Sequence, residues 1–400
     1  MGRLALRTNG FEPSGTLAMG ALARRLRSEG RDIISLAAGE PDFHTAENIK
    51  AAGIRAIRDN NTKYTPSDGT AALKQALSRK LREDNGLDYA PEQILVASGT
   101  KPILLAAMLA LTDPGDEVII PAPYWVSYPQ IARIVGAIPV FAACQAEFRF
   151  RLQPAALEAA ITPRSRVLIL NTPHNPTGAV YSAGDFERLM PVLLRHPDLW
   201  IVTDEIYEHV CYGGAKAMSL AAVDPRIAAR TVTTNGFSKS YVMTGWRLGF
   251  AAGDLPVIRT MADLLGNIAG PPSSISQAAA VEALEGDRTF LQTNAKSFQH
   301  RRDITVAALN QMPGISCFAP EGTFYVFASC AGVLGRRAPD GALIASDDDF
   351  VRSAAEHAGV VMVPGAAFGA SPCFRISYAL DATLLETGLD RLRRFCNTIV

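Results

Sequence analysis

Lys239 stands in a run of small and polar residues, Asn235-Gly236-Phe237-Ser238-Lys239-Ser240, between two apolar segments rather than on a charged helical face. An amine in such a setting loses solvent, its pKa falls, and the neutral form becomes available for Schiff-base chemistry or proton transfer. Taken alone, the residue reads sooner as a surface lysine. Arg247, eight positions on, shifts the balance, because a guanidinium near the same strand end can clamp a phosphate through two parallel bonds. Other chemically able residues also follow apolar runs: SGTK at 98–101, NTPHNPTG at 171–178 and the pair Asp204-Glu205.

The elements that must position these groups come from the hydrophobic pattern. Short Val/Ile-rich runs at 93–97, 117–120, 138–142, 166–170, 199–203, 231–234 and 248–252 predict strands buried on both faces. Helical stretches at 101–111, 125–135, 184–195 and 217–228 lie between several of them, which predicts an α/β unit around a mostly parallel seven-stranded sheet. In such sheets ligands bind beyond the C-terminal strand ends, and the polar motifs collect at that edge. The C-terminal part differs. A long helical pattern over 275–311, strands at 323–328, 359–363 and 374–378, and helices at 348–358 and 382–397 predict a smaller α+β unit. The amphipathic stretch 15–29 is expected to pack on it. The division is thus 1–46 for the N-terminal arm and part of the small domain, 47–285 for the large domain and 286–400 for the small one.

A chain of 400 residues with 48% hydrophobic content suits two or three globular domains. Thirty-nine basic residues balance 39 acidic ones, so no global field favours nucleic acid or an anionic membrane. Six cysteines without a C-x-x-C pair predict buried thiols in a reduced cytoplasmic protein. No apolar run suits a signal peptide or a bilayer span. The six histidines lack partners for metal binding or a Ser/His/Asp arrangement.

The run Gly236-Phe237-Ser238-Lys239-x-x-Val242-Met243-x-Gly245-x-Arg247-Leu248-Gly249 resembles the cofactor-lysine signature of class I aminotransferases. The likeness extends through AAGEPDF (37–43), KYTPSDG (63–69), DPGDEV (113–118), PYWVSYP (123–129), NPTG (175–178), DEIYEH (204–209) and FRISY (374–378). Within that family it is nearest the bacterial aspartate aminotransferase subgroup with PYWVSYP and MTGWR. The resemblance implies an aspartate-aminotransferase-like fold (the type I pyridoxal phosphate fold), pyridoxal 5'-phosphate as cofactor, and a homodimer with shared active sites. It implies that Lys239 holds the cofactor and moves the proton. Asp204 pairs with the pyridine nitrogen, and Tyr207, three residues on and on the same helical face, donates with Asn175 to the phenolic oxygen. Thr100, Lys101, Ser238 and Arg247 serve the phosphate, to which Tyr64 reaches from the neighbouring subunit. Trp125 stacks on the ring. Arg375 grips the substrate α-carboxylate, with Gly39, Asn175 and Trp125 beside it.

The reaction so implied is a ping-pong transamination between an amino acid and a 2-oxo acid such as 2-oxoglutarate. In the subgroup this chain resembles, a lysine at the position of Lys101 recognises the distal carboxylate of an acidic substrate, which implies aspartate or glutamate as donor; a merely solvated first-turn lysine is disfavoured because its positive charge opposes the helix dipole. Relatives that accept prephenate tend to carry lysine where this chain has Glu12, which argues against prephenate. A broad, aromatic or basic donor range and a C–S β-lyase remain alternatives. A non-catalytic cofactor-binding regulator is a weaker one, since only about 30 residues precede the family core.

Overall fold

The computed structural model describes residues 15–400; the readings of Glu12 and of the chain's start lie outside the described residues. In chain order the strands are β1 (Ile34–Ser35), β2 (Ile94–Ala97), β3 (Glu117–Ala122), β4 (Ile138–Ala143), β5 (Ser165–Asn171), β6 (Trp200–Asp204), β7 (Thr231–Gly236), β8 (Gly249–Ala252), β9 (Ser316–Cys317), β10 (Tyr325–Ser329), β11 (Val360–Val361), β12 (Val363–Pro364) and β13 (Cys373–Ser377). Seven form one sheet in the order β2-β8-β7-β6-β5-β3-β4. All run parallel except β8, which is antiparallel to both β7 and β2.

Both faces of this sheet are covered, as its unbroken apolar strands require. Val118, Val167 and Val202 pack on one face against Ile103, Met108, Met261 and Leu265 of helices Thr100–Leu111 and Leu255–Ile268. Their neighbours Ile119, Leu168 and Ile201 point the other way, against Phe186 and Leu189 of helix Ala183–Arg195. Alternation along each strand thus fills two cores at once, each fully buried side chain contributing roughly 1.5–3 kcal/mol.

A second, antiparallel sheet has the order β12-β13-β10-β9, while β1 pairs with β11. Helices Thr289–Leu309 and Ala382–Cys396 cover it through Phe298, Leu309, Leu385 and Leu392. Helix Gly15–Ser28 sets Ala23 and Leu26 against Val361, Val363 and Phe368. The second sheet is stitched to the first one's loops: Glu321 N and Gly322 N both donate to Gly178 O at 2.9 Å, and Thr323 N donates to Val210 O at 2.8 Å. Arg149 and Arg151 both bond the Glu321 carboxylate.

Three sequence expectations change. The pattern over 275–311 is two helices, Ser274–Glu285 and Thr289–Leu309, because Gly286 ends the first and the Asp287 carboxylate accepts from Thr289 N at 2.9 Å. Residues 217–228 give only a turn at Leu220–Ala222 and the short helix Pro225–Ala228. Pro225 cannot continue a helix, and Asp224 caps the new one through Arg226 N at 2.8 Å. The run 359–363 is split into β11 and β12.

Candidate active site

At the C-terminal edge of the large sheet, β6 ends on Asp204, which is buried. Its Oδ2 accepts from Tyr128 Oη at 2.8 Å, and Asn171 Nδ2 holds its main-chain oxygen at 2.7 Å. Burial raises the carboxyl to about 6, against the pull of the Tyr128 bond, the Ile206 amide and the charge of Lys239. Lys239 Nζ donates to Gly39 O at 2.6 Å. Burial lowers this amine to about 8; Glu40 opposes the shift, while the Arg375 and Arg247 cations add to it.

Tyr207 does not share a helical face with Asp204, because residues 205–209 form turns and not a helix. The turn still brings its phenol to the cavity, 3.0 Å from Tyr325 Oη. Glu205 faces away, accepting from Thr203 Oγ1 at 3.0 Å and from Ser219 Oγ, and burial lifts its carboxyl to about 7. Under the same turn Glu208 meets Lys80 at 2.6 Å, with both side chains almost fully buried. That pair anchors the Tyr207 segment to helix Ala71–Asn85.

Arg375 enters from β13 and is 2% exposed. Its Nη1 donates to Asn175 Oδ1 and its Nη2 to Ala37 O, each at 2.9 Å. The guanidinium carbon lies 4.2 Å from the Tyr325 ring centre and 4.9 Å from that of Phe368. Nε has no hydrogen-bond partner, and no carboxylate among the described residues is in ion-pair range of this arginine. Asn175 is placed by Asn171, whose Oδ1 accepts from Asn175 N at 2.8 Å.

At the opposite side, helix Thr100–Leu111 starts after Gly99, whose φ is +105°. A Cβ there would lie 2.6 Å from Arg247 Nη2, so glycine is what lets the guanidinium approach the helix N-terminus. Arg247 Nη1 donates to Thr244 O at 2.8 Å. Gly236 is equally confined: a Cβ would come within 3.0 Å of Thr100 Oγ1 and Ile206 Cδ1. Ser238 is therefore the hydroxyl this loop offers to the cavity. Lys101 Nζ sits 5.0 Å from the Trp125 ring centre, and partial burial together with Arg247 lowers its amine below the usual lysine range.

Eleven of the twelve expected residues line one cavity of about 360 Å³ with these groups; the exception is Tyr64, which is 94% exposed. The sequence reading missed Tyr128, Asn171, Thr16 and Tyr325, which line the same cavity. Tyr128 lies in PYWVSYP and Asn171 opens NTPHNPTG, so a closer look at polar groups adjoining those motifs could have found them. Tyr325 carries no local signal, since FYVFAS reads as a plain core strand.

A family model described as "Aminotransferase class I and II" matches residues 31–392. A probable aspartate/prephenate aminotransferase of Rhizobium leguminosarum bv. phaseoli is 48% identical over 385 residues, 96% of each chain. The crystal structure of the aspartate aminotransferase from Rhizobium meliloti superposes with TM-score 0.98 at 48% identity, over all of both chains. That of the Thermus thermophilus aspartate aminotransferase with maleate gives TM-score 0.90 at 38% identity, covering 99% of this chain and 100% of that one.

Proposed function

The chain belongs to the class I and II aminotransferase family, and from that premise we propose that it moves the amino group of aspartate or glutamate to a 2-oxo acid by a ping-pong mechanism. Its cofactor is pyridoxal 5'-phosphate, which when bound acts as an electron sink for negative charge developing at the substrate α-carbon. The residues present fit that group. A buried carboxylate whose pKa is raised awaits a cationic partner such as a pyridinium, a depressed lysine amine faces the same cavity, and a guanidinium meets a helix N-terminus as a phosphate requires.

Asp204, held by Tyr128 and Asn171, would keep the pyridine nitrogen protonated. Asn175 and Tyr207 would face the phenolic oxygen. Thr100, Ser238 and Arg247 would hold the phosphate, while Trp125 would cover the ring. Lys239 Nζ, its amine lowered to about 8, would take the proton from the substrate α-carbon as the general base. Arg375 and Asn175 fix the α-carboxylate with Gly39 beside it, leaving the Cα–H bond as the one presented.

The observation carrying the substrate assignment is that Lys101, standing over Trp125, lines the same cavity as the uncompensated Arg375. Two cations suit a substrate with two carboxylates, and maleate, seen with the Thermus enzyme, is a dicarboxylate. The reading includes a cytoplasmic homodimer in which Tyr64 of one protomer reaches the other's phosphate; the exposure of Tyr64 supports it, and no described helix is long and apolar enough to cross a membrane. It also keeps the units 1–46, 47–285 and 286–400, supported by a large sheet drawn from 94–252 and a small one from 316–377. An amino-donor screen with 2-oxoglutarate and pyruvate tests the function. Aspartate and glutamate should lead; ammonia release in place of amino transfer would turn the assignment toward the β-lyase.

A further inference from the structure

The hydroxyls of Tyr207 and Tyr325 are 3.0 Å apart in a buried contact, and either could donate. A phenol has one proton to give and can also accept. If Tyr207 spends its proton on the cofactor's phenolic oxygen, as proposed above, its oxygen must be the acceptor in the bond between the two tyrosines. The surroundings agree with that polarity. Burial raises both phenols and the Arg375 cation opposes the rise in each, leaving Tyr207 well above its ordinary range, while the guanidinium lies directly over the Tyr325 ring at 4.2 Å. The more acidic of two bonded hydroxyls is the donor.

Tyr325 is also tied to the substrate side. It stands on β10 opposite Ser377, while Arg375 is the diagonal neighbour on β13 and projects from the same face. The Tyr325 ring covers the guanidinium at 4.2 Å. Its hydroxyl occupies the space beside Gly39, where a Cβ would come within 2.5 Å of Oη. One side chain therefore touches the arginine, the proton donor Tyr207 and the glycine whose carbonyl holds Lys239.

We propose that Tyr325 is a positioning residue: its hydroxyl donates to the Tyr207 oxygen, so that Tyr207 keeps its own proton aimed at the cofactor, while its ring holds Arg375 for the substrate carboxylate. This rests on the role assigned to Tyr207. Chained hydrogen bonds strengthen one another, so the relay sharpens Tyr207 as a donor.

The test titrates the visible absorbance of the pyridoxal phosphate-loaded protein against pH in wild type, Tyr207→Phe, Tyr325→Phe and the double variant. The phenolic oxygen needs its donors most after the titrating proton has left, so losing a donor moves the midpoint to higher pH. Tyr207→Phe should shift it by on the order of one pH unit. Tyr325→Phe should shift it the same way by roughly 0.1–0.3 unit. The double variant should match Tyr207→Phe alone, since the Tyr325 hydroxyl acts only through Tyr207. Tyr325→Phe should leave the Michaelis constant close to wild type, whereas Tyr325→Leu should raise it roughly 2–5-fold through loss of the ring over Arg375. A shift in Tyr207→Phe with none in Tyr325→Phe overturns the relay and leaves the Tyr207 assignment standing. Additive shifts in the double variant also overturn it. No shift in either single variant removes the role given to Tyr207, and the relay with it.

Discussion

The floor and the wall of the cavity hold charge in opposite ways. On the floor, at the large sheet's edge, Asp204 and Lys239 are ionisable groups drawn toward neutrality by burial, one up to about 6 and the other down to about 8. On the wall, Arg375 is just as buried but cannot neutralise; it is met by an amide oxygen, a main-chain oxygen and two aromatic faces, all uncharged. Compensating it with a built-in carboxylate would have given a quieter protein and a poorer binder. The floor is thus arranged for groups that exchange protons, and the wall for a charge that waits for its counter-ion to arrive.

Substitutions can break this contrast or sharpen it. The largest effect is expected on the floor. Lys239→Ala should lose the visible absorbance of the loaded protein and about 10⁴-fold or more in kcat; a coloured, active variant would remove the lysine from its role. On the wall, Arg375→Lys keeps the charge and loses the fork, so kcat/KM should fall about 10²-fold for every amino donor alike, read by steady-state kinetics across a donor series. At the rim, Lys101→Ser should raise KM for aspartate by about tenfold and leave alanine nearly unchanged; equal effects on both would discard the dicarboxylate reading. The smallest test needs no substitution. Capture of pyridoxal phosphate by the cofactor-free protein requires the neutral amine of Lys239, whose pKa is depressed from the ordinary 10.5 to about 8. The stopped-flow rate should therefore rise about tenfold per pH unit below 8 and level off above it; a rate still climbing toward pH 10 would mean an unperturbed lysine.

The same contrast explains what was legible in the sequence. Floor residues follow directly from strands with a strong apolar signature, so Lys239, Asp204 and Asn175 stand out at the ends of β7, β6 and β5. The strand ladder itself was readable because burial on both faces leaves unbroken Val/Ile runs. Wall residues are harder to see. Tyr325 comes from a strand whose partners are set by tertiary pairing, and its meeting with Tyr207 joins positions 118 residues apart in sequence. Tyr207 was identified by resemblance, yet its local geometry was misjudged, since Glu205 and Glu208 are drawn off to Ser219 and Lys80 and no helix follows β6. The break at Gly286–Arg288 was hidden because apolar periodicity continues on both sides of it.

The reversed strand β8 has a consequence for how the chain is made. Strand β2, which delivers Gly99 and Thr100, pairs in its sheet with β8 alone, through contacts such as Val96 to Phe250. During synthesis that edge strand must wait for more than 150 further residues before its partner exists, and closing so long a loop is slow. Arg247 arrives in the same segment, immediately ahead of β8. The half-cup that cradles an anion at Gly99 is thus assembled late, after the central strands are already available to pair, and a nascent chain stopped short of residue 247 would have most of its sheet but not the guanidinium that completes the cup.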